Sequence, residues 1–149
     1  MSVPARVSVA TLGVADVARA TEFYESLGWR LSPASVPGVV SFFNTAGGLL
    51  SLASTDDLAA DTGLPSRPAP LNATAEFRGS MLAINVESPE AVDEALRTAV
   101  QAGGTLVKAG GAAEWGGYLG YFTDPDGHLW EITHNPAWPL DAADVPRLP

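Results

Sequence analysis

Cysteine is missing altogether from the 149 residues. That excludes a disulfide framework, a thiolate metal site and a thiol nucleophile. Lysine is nearly missing too: Lys108 stands alone, and eight basic residues face seventeen acidic ones for a formal charge of −9. Nucleic acids and anionic membrane surfaces reward clustered Lys and Arg. Neither is expected as a partner, and the acidity reads as a solubility feature. No apolar run approaches the roughly 20 residues of a membrane helix. Residues 1–14 lack a signal-peptide layout, with one Arg followed by an interrupted apolar stretch and no clear cleavage site. The expected compartment is the cytoplasm. A glycine-rich phosphate loop leading into Lys is absent, and so is the G-x-S-x-G nucleophile elbow. Asp124 and Asp126 are paired carboxylates, but their place in a tight turn suits the capping of backbone amides.

What is present is enough apolar material for a core, and a repeat. The apolar fraction of 46% is that of a globular chain, and the length fits one domain or two very small ones. Residues 6–14 alternate and are rich in Val, which predicts a strand. Asp16 follows as an N-cap, then Val17, Ala20, Tyr24 and Leu27 at helical spacing, then Gly28 as a C-cap. Three short strands are predicted at 29–32, 39–44 and 49–54, the last two joined by a hairpin turn through Gly47 and Gly48. The second half repeats the order. A strand is predicted at 81–86, and Ser88 caps a helix with Pro89 at its first position and Val92, Ala95, Leu96 and Ala99 on its buried stripe. Gly103 and Gly104 end it, and strands at 105–108, 118–123 and 128–134 follow, with a turn over residues 124–127 matching the earlier one.

The predicted organisation is therefore α+β, with one βαβββ unit at 1–54, a linker at 55–79, a second unit at 80–134 and a proline-rich tail at 135–149. The linker carries Pro65, Pro68 and Pro70 and one short helix at 56–61. It is either functional, as long connections often are, or a plain tether. Trp138 pins the tail either to the body or to a second subunit.

Three stretches carry a family resemblance: residues 11–16 with Phe23, Tyr24 and 27–29; residues 83–86; and residues 117–131. They resemble the vicinal oxygen chelate superfamily, which includes glyoxalase I, extradiol dioxygenases and the fosfomycin and bleomycin resistance proteins. The resemblance covers residues 6–134. It implies two half-barrels of four strands each, curved mixed sheets that face one another over a central cavity, and a homodimer. In the family's catalytic members that cavity holds one divalent metal. Carried over motif by motif, the ligand positions fall on Val9, Met81 and Glu131, with Leu52, four residues after Gly48, as the counterpart of Glu131 in the first unit. Only Glu131 can hold a hard or borderline divalent ion. No metal and no cofactor is expected. His128 and His134 fall on the other face if Glu131 points inward, because strand residues alternate.

The same alternation lines the expected cavity with Val7, Val9 and Thr11, with Met81, Ala83 and Asn85, and with Leu129, Glu131 and Thr133. Phe42, Trp115, Tyr118 and Phe122 are candidates for its rim or walls, parity being undecided near the glycines. Trp115 sits either on a mobile flap between glycine pairs or in a plain hairpin loop. The lining is apolar and aromatic with one carboxylate, the character of a pocket for a small organic ligand. Glu131 has three readings: a ligand contact, a general base, or a former metal ligand now held by neighbours. Two functions remain open. One is a binding protein like the bleomycin resistance branch, taking a drug or metabolite. The other is a lyase, isomerase or dioxygenase using Glu131 as base or as ligand of an atypical metal site.

Overall fold

A computed structural model describes residues 2–67 and 76–149. The chain divides into two compact units, Met1–Pro68 and Ala69–Pro149.

In the first unit the alternating Val-rich run forms strand β1 (Val9–Val14). Asp16 then stops the extended chain and starts helix α1 (Val17–Ser26) by accepting a hydrogen bond from the Arg19 amide at 3.1 Å, which satisfies one orphan donor of the first turn. Val17, Ala20, Phe23 and Tyr24 form the buried stripe of α1. Gly28, at φ +92°, takes the chain out of the helix in a conformation that a side chain disfavours. Strands β2 (Val40–Thr45) and β3 (Gly48–Ser54) form a hairpin, and β3 also pairs in parallel with β1, giving the order β1-β3-β2. Phe43, Leu50 and Leu52 are buried on the side that packs against α1, where Tyr24 and Trp29 meet the Phe43 ring. The Thr21 hydroxyl donates its proton to the Val17 carbonyl at 2.6 Å. It must therefore accept from Ser41, 2.6 Å away, which ties α1 to β2.

The strand expected at 29–32 does not form. Only Leu31 bridges to Phe43, and the Ser32 amide reaches the Phe42 carbonyl. Pro33 has no N–H for a ladder, and Pro37-Gly38 turns the chain back through Val36 and Val40. The first sheet therefore has three strands rather than the four of the expected half-barrel. Helix α2 (Thr55–Thr62), capped by Ser54, covers the short helix expected at 56–61. The remainder of the linker, with Pro68 and Pro70, lies partly outside the described residues.

The second unit has strand β4 (Leu82–Asn85), helix α3 (Pro89–Gln101), and strands β5 (Thr105–Ala112), β6 (Tyr118–Thr123) and β7 (Leu129–His134). Ser88 caps α3 through the Ala91 amide at 3.1 Å, with Pro89 in the first turn where no N–H is needed. The sheet order is β4-β7-β6-β5, with β4 parallel to β7 and the rest antiparallel. Helix α3 packs on β5, β6 and β7. Gly120 lets it come close: a Cβ there would meet Leu96 Cδ1 at 2.5 Å and the Lys108 carbonyl at 2.8 Å. Asp124 closes the β6–β7 turn, its Oδ1 accepting from the amides of Asp126 and His128 at 3.0 and 2.9 Å. The tail folds into a turn of its own, in which Asp141 accepts from the Ala143 and Val145 amides and pairs with Arg147 at 2.9 Å. Trp138 remains 41% exposed.

Candidate functional site

Strand β7 lies between β4 and β6, so its residues 130–133 have a neighbour on both sides. Trp130 and Ile132 are buried, and Trp130 stacks on Phe122 with ring centroids 6.3 Å apart and planes 4° off parallel. These residues form the face that packs on α3. Strand alternation then places Leu129, Glu131 and Thr133 on the opposite, open face. The ladder registers extend this face across three strands. One rung reads Ala83, Glu131, Tyr121 and the next reads Asn85, Thr133, Leu119.

Glu131 is half-buried there, and the Tyr121 hydroxyl donates to its Oε2 at 2.9 Å. Desolvation, and then the bond to Glu131, raise the Tyr121 phenol above its ordinary value, so the proton stays on the phenol. The carboxylate keeps Oε1 free of any partner among the described side chains. Thr133 is 5% exposed, and its hydroxyl is buried without a hydrogen-bond partner. Asn85 is half-buried and its amide makes no side-chain hydrogen bond among the described residues. Met81, just ahead of β4, continues the parity of Ala83 and Asn85 and is 45% exposed.

In the first unit the open face carries Val9, Thr11, Phe42, Leu49 and Ser51, by the registers Val9 to Leu49, Thr11 to Ser51 and Phe42 to Ser51. Leu52 is not on it. That residue is fully buried on the α1 side, and the counterpart of Glu131 is Ser51: Thr11 pairs with Ser51 as Ala83 pairs with Glu131. The one-residue error arises at the turn. Gly47 and Gly48 are interchangeable as markers in the sequence, but Gly48 already belongs to β3, so the count starts from Gly47. A shift of one residue moves a strand's side chains to the other face.

Two more expected wall residues are displaced for the same reason. Tyr118 and Phe122 pair with His134 and Trp130 and so share the helix-facing side. Phe122 is buried under α3, and the Tyr118 hydroxyl donates to Asp93 of α3 at 3.0 Å. The residue that does reach Glu131 from β6 is Tyr121, which the sequence reading missed. A signal for it existed: a turn that pairs Thr123 with Leu129 necessarily pairs Tyr121 with Glu131. Trp115 sits in a closed hairpin connection, where the Ala113 amide bonds the Gly117 carbonyl and the Gly116 amide bonds the Ala113 carbonyl. Its ring folds back on Gly117, leaving no room for a Cβ there, and is 57% exposed.

A divalent metal of the kind the family uses does not fit these residues. The first unit offers Val9 and Ser51 at the ligand positions, and the second offers Met81 and Glu131. His134 bonds its Nδ1 to the Val86 carbonyl at 3.1 Å, and the His128 amide is engaged in the turn. Among the described residues no three His, Asp or Glu side chains converge. A single carboxylate falls short of the three or more protein ligands that zinc takes and of the oxygen shell of magnesium.

Parallel pairing of first and last strands, one helix packed on one face, and a Glu on the open face of the last strand define a βαβββ module of a known kind. Residues 6–132 match the family described as the Glyoxalase/Bleomycin resistance protein/Dioxygenase superfamily, and the chain belongs to it. A glyoxalase-related enzyme from Fulvimarina pelagi is similar along its whole length, at 33% identity and a TM-score of 0.83, with 97% of this chain and 99% of that one covered. Lactoylglutathione lyase from Agrobacterium tumefaciens shares the fold at 20% identity and a TM-score of 0.65, over 93% of this chain and 99% of that one. TioX from Micromonospora sp. ML1 does so at 24% identity and a TM-score of 0.57, over 85% and 96%. Comparison with curated proteins gives no match. No helix among the described residues is long and apolar enough to cross a membrane.

Proposed function

We propose that this chain binds a small organic molecule, a drug or metabolite, on the open face around Glu131, and that it does so without a metal. The observation that carries the reading is the Tyr121–Glu131 hydrogen bond. A carboxylate held by a phenol on an open sheet face, with one oxygen left over, is organised as an acceptor for a ligand's donor. Its neighbours Met81, Ala83, Leu119 and Leu129 supply apolar surface for the body of that ligand. Thr11, Phe42 and Val9 on the open face of the first unit offer the same kind of surface. Glu131 acts here as a contact; a role as general base is the competing reading. The working form we propose is a cytoplasmic homodimer that recognises neither nucleic acid nor membrane, its acidic charge of −9 opposing both.

The test has two parts. Elemental analysis of the purified protein, followed by thermal shift with nickel, zinc, manganese and iron(II), should give no stoichiometric metal and no stabilisation. Tryptophan fluorescence against a panel of small organic compounds should then find a ligand, and Glu131→Gln should weaken it by roughly tenfold, the size of a lost charge-assisted hydrogen bond. One metal per chain with a clear stabilisation overturns the metal-free reading. Turnover that Glu131→Gln abolishes, with binding intact, replaces the contact by a base.

A further inference from the structure

Strand β5 carries the single lysine of the chain, and a bulge decides which way it faces. Leu106 pairs with Phe122, but the next pair is Lys108 with Tyr121, so Val107 is the extra residue. An unbroken ladder would set Val107 opposite Tyr121 and turn Lys108 toward α3. The shift instead puts Lys108 on the open face beside Tyr121. The groove on the helix side agrees: Leu106, Ala109 and Gly110 of β5 line it together with α3, and Lys108 does not. The rung through Glu131 therefore reaches a fourth strand and reads Ala83, Glu131, Tyr121, Lys108. It holds one negative and one positive charge. Neither makes an ion pair among the described residues, because Tyr121 stands between them and bonds Glu131 itself. Both are within reach of a ligand. Lys108 is exposed, and Glu131 Oε1 is unbonded without being buried, since the one buried side-chain polar atom lacking a partner among the described residues is the Thr133 hydroxyl. In the first unit the matching rung reads Thr11, Ser51, Phe42, ends at the edge strand β2 and carries no charge.

We infer that this face takes a small zwitterion, an amino acid with an apolar side chain, its ammonium on Glu131 and its carboxylate on Lys108. The inference rests on the reading of the open face as a ligand site and adds its chemical class. Neighbouring strands lie about 4.8 Å apart, so Glu131 and Lys108 stand about 9.6 Å apart along the rung. Two hydrogen bonds of about 2.9 Å leave about 4 Å between the ligand atoms that meet them. The two ends of an amino acid are separated on that scale, and the flexible four-carbon stem of Lys108 takes up the difference. An amine without a carboxylate meets Glu131 but faces Lys108 as a like charge. A carboxylate without an amine meets Lys108 but faces Glu131, and the chain's charge of −9 repels it further. The zwitterion satisfies both ends and brings no net charge. Leu119 and Leu129, one rung to either side, supply the bed for its apolar side chain.

The probes share one body: phenylalanine, phenethylamine and 3-phenylpropionate, each titrated at low salt into the isotope-labelled full chain and followed by amide chemical shifts. Phenylalanine should shift the amides of Lys108, Tyr121 and Glu131 and bind more tightly than the other two. Lys108→Gln should weaken phenylalanine by roughly three- to tenfold and leave phenethylamine as tight as before or tighter. Lys108 is exposed, so this variant should unfold at the temperature of the parent. Glu131→Gln should weaken phenylalanine and phenethylamine and leave 3-phenylpropionate no weaker. Equal phenylalanine affinity in Lys108→Gln, or phenethylamine bound by the parent as tightly as phenylalanine, overturns the assignment. If other compounds shift this face and phenylalanine does not, the class is wrong and the ligand site stands. If no compound shifts it, both fail together.

Discussion

Thr11 and Ser51 face one another across the first sheet as Ala83 and Glu131 do across the second, and Phe42 stands beside Ser51 as Tyr121 stands beside Glu131. The two units share these ladder pairings, in sheets of three and four strands, and differ in what is placed on them. Where the carboxylate is present, its neighbour carries a hydroxyl that donates to it; where the carboxylate is replaced by Ser, the neighbour is Phe. Burying part of a charge is costly unless something bonds it, so the two positions change together. The comparison teaches that the repeat conserves rungs, not chemistry, and that the second unit alone carries an ionisable group on the central strand of its open face.

The comparison depends on the register correction in the first unit, and the largest expected effect tests it. Leu52→Ala should destabilise the fold by about 2–5 kcal/mol, as for a buried Leu whose site cannot collapse. Val9→Ala, at a position 43% exposed on the opposite face, should cost less than about 1 kcal/mol. Chemical denaturation checks both. Similar costs would place Leu52 back on the open face and break the pairing of Ser51 with Glu131.

A smaller effect concerns how each helix is held to its sheet. In the first unit Ser41 donates to Thr21; in the second, Tyr118 bonds Asp93. Ser41→Ala should cost about 0.5–1.5 kcal/mol, since Thr21 keeps the Val17 carbonyl as its own acceptor and no donor is orphaned. A cost well above that range, measured by the same unfolding curves, would mean that the proton runs the other way.

The smallest effect is in alkaline solution and belongs to the second unit. The Tyr121 phenol is raised by desolvation and by its bond to Glu131, and the Tyr118 phenol by its bond to Asp93 and by desolvation. For a group whose folded value is raised, the stabilisation is complete below the unfolded value and is lost as pH rises through the folded one. Unfolding temperature should therefore fall from about pH 10 upward, and the fall should be shallower in Tyr121→Phe. An unchanged slope would detach Tyr121 from Glu131.

Much of this is legible in the sequence. Asp16 and Ser88 cap the helices they were expected to cap, because a short side chain that accepts from a free amide is a local event. The turn at residues 124–127 also follows from neighbours in sequence, whereas the parallel pairing of β4 with β7 does not. Two things were not legible. The strand expected at 29–32 alternates well enough, and it fails because Pro33 and Pro37 deny it a ladder partner. The faces of Leu52, Tyr118 and Phe122 were misjudged because a glycine pair and an aromatic run leave the parity of a strand open by one residue.

The sequence by itself determined the repeat, the caps and the turns, all of which rest on residue type and short spacing. Only the tertiary structure decided that Ser51 and Tyr121 belong to the open faces, that Phe122 lies under α3, and that the Thr133 hydroxyl has no partner. Those are matters of register, and register is set by which strand lies alongside which, a relation between residues far apart in the chain.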